Sequence, residues 1–306
     1  MIRHDRVKAA GLSSANEAAA AGFYAKTLTG PTFSHQKWPS RSARPFGSVQ
    51  MERIQAALRM AKERRAEQPD ADEPAARGPD RAWEMLPAFE PDAALLAQNR
   101  VLTHGSSDPA RAGLDAMAGR LLRMMRRSGW VSLGVTSPTA GCGKTTVALN
   151  LAFSLARRPD LRVLLVDLDF RRPAVAGRLG MTEARSLADA VRGERPVADA
   201  FVRVGERLAI AANATAERES GGLLLGSGVA AWAKALMAEF RPGLVLYDLP
   251  PLLLDDGVVA FSPNLDGVLL TVAAEETHVE EIARCEAELA DHAGLVGVVL
   301  NKCRYL

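Results

Sequence analysis

The sequence predicts an α/β fold, a mostly parallel sheet with helices on both faces. Three observations predict it. From residue 131 onward, uninterrupted Val/Leu runs alternate with stretches of helical periodicity, the pattern of strands buried on both faces and joined by helical crossovers. The first of these runs passes through a Gly-containing loop directly into a helix, VSLGVTSPTAGCGKTTVALNLA over residues 131–152. Several runs also end in Asp or Asn, which puts polar residues at the edge of an apolar sheet where ligands of such sheets sit.

The stretch 131–152 organises the rest. Its apolar run, 131–135, reads as a strand and 136–143 as a loop. The helix opens at Lys144, carries Val147, Ala148, Leu151 and Leu155 on one face, and is ended by Pro159. Such a loop turns successive backbone N–H groups, and the positive end of a helix dipole, towards an anion. Lys144 adds a mobile positive charge for the β- and γ-phosphates of a nucleotide, and Thr145 a hydroxyl for Mg²⁺. The pattern G-x-x-x-x-G-K-[ST] is met except that Pro138 stands at its first Gly. An incidental turn would leave the GKT triplet unexplained. The expectation is therefore a P-loop NTPase fold, with ATP held by Ala140, Gly141, Cys142, Gly143, Lys144, Thr145 and Thr146.

Composition narrows the classes further. The chain has 306 residues, 48% of them hydrophobic, and a net charge of +2. That balance provides no strong field for nucleic acid, and none is expected as a partner. Cys142, Cys285 and Cys303 have no metal-ligand spacing and read as free thiols in a reducing compartment. No stretch reaches the roughly 18 apolar residues of a bilayer span. The N-terminus lacks the apolar core of a secretory signal. The expected location is cytoplasmic, with any contact at the inner membrane made through a partner.

In chain order, residues 1–50 lack a period and are expected to be a disordered extension. Residues 51–68 read as a short amphipathic helix. Met51, Ile54, Leu58 and Ala61 share one face, and Arg53, Arg59, Lys62, Arg64 and Arg65 crowd the remainder. It could dock on a partner or an anionic surface. A solvated helix is favoured, because the apolar face is short. Residues 69–107 read as a Pro-rich linker, with Trp83, Leu86 and Phe89 as its points of attachment. Residues 108–306 form the nucleotide-binding domain. It begins with a helix over 108–128 that has Leu114, Met117 and Leu121 on its apolar side. Strands are expected at 131–135, 162–167, 208–212, 244–248, 267–274 and 295–301. Helices are expected at 145–157, 174–179, 186–192, 222–239 and 277–292.

Phosphoryl transfer asks a protein mainly for positioning and charge neutralisation. Asp167 and Asp169, in LLVDLDF, follow the second strand, and Asp248, in LYDLPP, follows a later one. Thr145, Asp167 and Asp248 are the candidates for holding Mg²⁺, directly or through water. Asp167 is also the candidate proton acceptor, with Asp169 beside it. Lys144, Asp167, Asp169 and Asp248 are thus the catalytic candidates. The plainer alternative for each acid is a cap on the turn that follows. Arg171 and Arg172 fit a phosphate contact, a subunit contact or a solvated turn. Cys142 sits at a helix N-terminus, where a thiol's pKa is lowered, so a thiol reagent is expected to block nucleotide.

TSPTAGCGKTT, VLLVDLDFRRP, LVLYDLPP, DGVLLTVAAEETHVEE and GVVLNKC, in that order, resemble the bacterial tyrosine kinases of capsule and exopolysaccharide synthesis. The resemblance covers about residues 110–306. It implies that the three motifs are Walker A, Walker A′ and Walker B, carried by Lys144 and Thr145, by Asp167 and Asp169, and by Asp248. It also implies that Asn301 meets the adenine. The partitioning and cell-division (ParA/MinD-like) ATPases share the fold but carry a Lys early in the loop, where this chain has Thr139. Three departures from the kinase pattern stand out. Cys142 replaces a usual Glu. Ala118 stands where the family's ring-forming helix has an Arg, although Asp115 and Arg120 keep their charges. Tyr305 alone represents a C-terminal tyrosine cluster. The resemblance implies ATP- and Mg²⁺-dependent transfer of the γ-phosphoryl group to tyrosine, or ATP hydrolysis, in polysaccharide synthesis and export. The partners it implies are a membrane polysaccharide co-polymerase or chain-length protein and further copies of the chain. The alternative is a nucleotide-dependent switch or partitioning-type ATPase without kinase output.

Overall fold

The computed structural model describes residues 79–103, 108, 110–182, 187–217, 220–290 and 293–303. The expectations for 1–50, for 51–68 and for Tyr305 lie outside the described residues.

Seven strands form one sheet: β1 (Ser132–Thr136), β2 (Val163–Asp167), β3 (Phe201–Val204), β4 (Leu208–Ala211), β5 (Leu244–Asp248), β6 (Gly267–Ala273) and β7 (Leu295–Asn301). Their order is β3-β4-β2-β5-β1-β6-β7. Every neighbouring pair is parallel except β3 with β4. The α-helices are α1 (Pro79–Glu84), α2 (Ala93–Gln98), α3 (Ala110–Ser128), α4 (Lys144–Ala156), α5 (Val175–Leu179), α6 (Leu187–Arg192), α7 (Ser220–Leu223), α8 (Ser227–Phe240), α9 (Gly257–Phe261) and α10 (Val279–Leu289).

Period-2 alternation sends the strand side chains into two cores. Leu164, Val166, Val245, Tyr247, Val268 and Leu270 pack with α6, α8, α9 and α10 on one face. Leu133, Val135, Leu165, Leu246 and Leu269 pack with α3, α4 and α5 on the other. Covering both faces with helices explains why the strands read as continuous apolar runs.

Three expectations are corrected. The strand β3 was not foreseen. It is four residues long and closes a hairpin onto β4 through Gly205, whose φ is 64°. The helix expected over 222–239 is two helices, because Gly226 adopts an extended conformation (ψ 155°) between α7 and α8. Residues 79–103 are also not a linker. Trp83 and Leu86 are buried in one core and Leu96 and Val101 in the other. The Trp83 Nε1–H donates to the Glu206 carbonyl at 2.9 Å, and the ring meets Phe240 edge-on. Pro87 and Phe89 exchange backbone hydrogen bonds with Arg203 of β3, each 2.8 Å long. A run of prolines suggests an open linker, but burial of Trp83 and Leu86 outweighs the entropy of ordering it.

The position of β5 matters most for function. It lies between β1 and β2, so Asp248 is in register with both Val135 and Asp167.

Candidate functional site

The C-terminal ends of four strands carry Thr136, Asp167, Asp248 and Asn301. The loop from β1 to α4 starts stitched to the turn after β5. The Thr136 hydroxyl donates to the Pro250 carbonyl at 2.6 Å. The Leu252 and Leu253 amides donate to the carbonyls of Ser137 and Pro138. Left-handed backbone falls at Gly141 (φ 89°) and Gly143 (φ 91°), and residue 138 is not among the positive-φ positions. That is why Pro is accepted where the motif asks for its first Gly: the conformation that needs glycine lies further along the loop. At Gly143 a Cβ would also overlap the Asn301 amide nitrogen.

Lys144 emerges at the first position of α4 and turns back over the sheet edge. Its Nζ lies 2.8 Å from Asp169 Oδ2 and 3.5 Å from Asp248 Oδ1. Burial works against the ammonium, yet Asp248 and Asp169 outweigh it and raise its pKa.

The three acids have different surroundings. Asp167 Oδ1 accepts the Asp169 N–H at 3.1 Å, and Oδ2 accepts the Ala174 and Val175 N–H groups at 3.0 Å each. Both oxygens therefore cap the turn into α5, the plainer of the two readings open for a strand-end Asp. Burial first, then the neighbouring Asp248, pushes the Asp167 carboxyl up to about 8. Asp169 accepts the Arg172 N–H through Oδ1 and offers Oδ2 to Lys144. Asp248 is fully buried. Burial raises its pKa against the pull of Lys144 and of a hydrogen bond from Thr145. Its Oδ2 has no hydrogen-bond partner among the described residues.

That orphaned oxygen tests the fit of a cation. A buried, unpartnered carboxylate oxygen beside a Thr hydroxyl is a donor pair of the type Mg²⁺ accepts, with waters and phosphate oxygens completing its shell. Thr145 and Asp248 fit the ion. Asp167 does not fit as a direct ligand, because backbone amides hold both its oxygens. Among the described residues no group of three or more His, Cys, Asp or Glu forms a metal cage. Mg²⁺ seldom uses one.

Asn301 donates to the Cys142 carbonyl at 2.8 Å. In this structure the amide holds the phosphate loop from the end of β7. Cys142 is buried, its Sγ 3.4 Å from the Thr139 carbonyl and 3.8 Å from Thr277 Oγ1. Thr277 in turn accepts the Ala273 N–H at 3.0 Å. The thiol is thus a packed brace between the loop and the β6–α10 connection. Thr277 lies within the DGVLLTVAAEETHVEE motif, which assigns it no role, and only the fold shows its part. Arg171 pairs with Asp255 at 3.5 Å, partly exposed. Asp115 is engaged within the chain by Ser154 (2.6 Å) and by Arg157.

The fold and this site define a P-loop nucleotide-binding protein. Residues 133–305 match the CobQ/CobB/MinD/ParA nucleotide binding domain family, and the chain belongs to that family. It is 29% identical over 197 residues to EpsB of Ralstonia nicotianae, an alignment covering 63% of this chain and 26% of that protein. It is 27% identical over 173 residues to the tyrosine-protein kinase YwqD of Bacillus subtilis, covering 56% of this chain and 71% of YwqD. The solved BceF tyrosine kinase domain matches with a TM-score of 0.58 at 22% identity, over 76% of this chain and 99% of that domain. The last likeness shows the shared fold. The resemblance to bacterial tyrosine kinases is carried by relatives of that name. The chain spans about a quarter of EpsB. Among the described residues no helix is long and apolar enough to cross a membrane.

Proposed function

We propose that the protein binds ATP with Mg²⁺ and transfers the γ-phosphoryl group to a tyrosine hydroxyl or to water, in the control of polysaccharide polymerisation or export. One observation carries the chemistry. Among the described residues the buried ammonium of Lys144 bridges Asp169 and Asp248, acids at the ends of two neighbouring strands, beside the Gly141–Gly143 turn that opens α4. The polysaccharide setting rests on the resemblance and on the relatives named above.

In this reading the amides of residues 140–146 and Lys144 hold the phosphates. Lys144 leaves Asp169 to follow the charge that spreads over the transferring group. Thr145 and Asp248 hold Mg²⁺, which neutralises phosphate charge when bound. Freed of Lys144, the Asp169 carboxylate takes the proton of the incoming hydroxyl while the bond from that oxygen to phosphorus forms and the bond to the ADP oxygen breaks. Asp169 is preferred to Asp167 as base, because three backbone N–H groups already occupy Asp167. Asn301 supports the loop and, as the family resemblance implies, meets the adenine. A co-polymerase-type membrane partner fits this reading and would bring the protein to the inner membrane.

Incubation with γ-labelled ATP tests the proposal. Label on protein tyrosine identifies a kinase, and free phosphate alone an ATPase. Turnover unchanged in a Lys144→Met variant would discredit the site. A second reading, a nucleotide-dependent switch, is favoured by the scarcity of acceptors. The chain has three tyrosines, and Tyr247 is buried in β5. That reading expects ATP to change oligomer size or partner affinity while labelling stays negligible.

A further inference from the structure

The two edges of the sheet are treated differently. The β3 edge is covered by the strap at residues 87–89. Among the described residues no strand pairs with the outer edge of β7, and most of that strand is only half-buried. Beside it, between α3 and β7, runs a groove of about 560 Å³ lined by Leu121, Met124 and the backbone and side chains of residues 296–299. Arg120, Arg123 and Arg127 of α3 rim it. Their spacing places them along one stripe of the helix. None has an ion-pair partner among the described residues, whereas the neighbouring Arg126 is paired with Asp160 at 2.6 Å. Arg123 and Arg158 both bring a guanidinium nitrogen to the surface of Gly119, so positive charge is gathered there.

The opposite face at the same edge is apolar. There Leu295, Val298 and Leu300 of β7 pack against the core but stay only half-buried. A segment laid along β7 would therefore find arginines on one side and apolar side chains on the other. Side chains of a strand alternate between the two sides. Acidic residues fit towards α3, and apolar residues towards the other face.

We propose that β7 and the α3 groove receive an extended segment of another protein, with acidic and apolar residues in alternation, added as an eighth strand. The backbone of β7 gives affinity and Arg120, Arg123 and Arg127 select the acids. The groove lining includes no residue of the phosphate loop. A bilayer is disfavoured, because Met117 and Leu121 are buried in the groove and do not protrude.

The probe is a fluorescein-labelled peptide of alternating Glu and Val, titrated with the full chain and followed by anisotropy. Saturable binding is expected, weakened by added salt and indifferent to ATP. The Arg120→Gln/Arg123→Gln/Arg127→Gln variant should bind about tenfold or more weakly, a change of about 1.4 kcal/mol or more. Met124→Glu should do the same by repulsion from the groove floor. The Lys/Val counterpart should not bind, and N-methylation of the peptide backbone on one edge should abolish binding. No saturable binding, or binding that ignores the arginines or the N-methyl groups, overturns the proposal. So does arginine-dependent binding to phosphatidylglycerol vesicles or arginine-dependent self-association in place of peptide binding.

Discussion

Asp167 and Asp248 stand opposite each other in the parallel register of β2 and β5, two buried carboxylates side by side. Both pKa values are raised, by burial first, and Asp167 reaches about 8. A raised carboxyl binds its proton more tightly in the folded chain than in the unfolded one. Between the ordinary carboxylate range and about 8 the folded state therefore holds more protons, and stability falls as pH rises through that window. Urea midpoints of the nucleotide-free protein should decline from about pH 6 to about pH 8.5. Asp248→Asn removes one charge of the pair and should flatten the slope. A wild-type midpoint independent of pH would contradict the pairing.

Lys144 is the counter-charge to these acids. Lys144→Met should abolish nucleotide binding and cost about 3–5 kcal/mol of stability near neutral pH, because it leaves buried carboxylates uncompensated. The deficit should shrink in acid, where the carboxyls are protonated. Paired urea titrations at two pH values measure this, and an equal deficit at both would argue against the bridge.

The Asn301 amide lies where a side chain at residue 143 would go. Gly143→Ala should lower stability by about 1–2 kcal/mol for the left-handed backbone alone, and by more for the overlap. Adding Asn301→Ala should recover the overlap part and leave the backbone part. A double variant no more stable than Gly143→Ala would show that Asn301 is not what crowds the site.

Cys142 and Cys285 are buried, while Cys303 is partly accessible. Burial pushes the Cys285 thiol up to about 12. A disulfide reagent added to the native protein should label Cys303 first, and Cys142 only when the loop opens or the chain unfolds. Peptide mapping at short times decides this. Early labelling of Cys142 would restore the expectation of a reactive loop thiol.

The strap at residues 79–103 contributes to the fold. Trp83→Ala removes a buried ring and its hydrogen bond to Glu206, and should cost about 3–5 kcal/mol. A chain that begins at residue 105 should melt several degrees or more below one that begins at residue 79. Equal melting temperatures for the two truncations would rule out a stabilising strap.

Much of this was legible in the chain. The runs ending in Asp167, Asp248 and Asn301 were correctly read as strands, because a parallel sheet buried on both faces leaves no polar residues inside a strand. Lys144 and Thr145 were readable because GKT at a helix start has few other uses. The strand β3 was not readable, since four residues with a charge among them give no usable period. The strap was hidden for a different reason: its prolines signal openness, and nothing local shows that Trp83 has a slot against Phe240.

The sequence by itself singled out the candidate residues for the chemistry, because a phosphate loop and strand-end acids are local patterns that depend only on spacing along the chain. Only the tertiary structure decided what each one does. By inserting β5 between β1 and β2, it set Asp248 against Asp167 and brought Lys144 to Asp169 and Asp248. It turned Asp167 into a cap, left one Asp248 oxygen without a partner, and made Cys142 a buried brace. The cap at Asp167 is local, made by N–H groups two, seven and eight residues on; the other roles depend on contacts between residues about 25 to over 100 positions apart, which spacing along the chain cannot express.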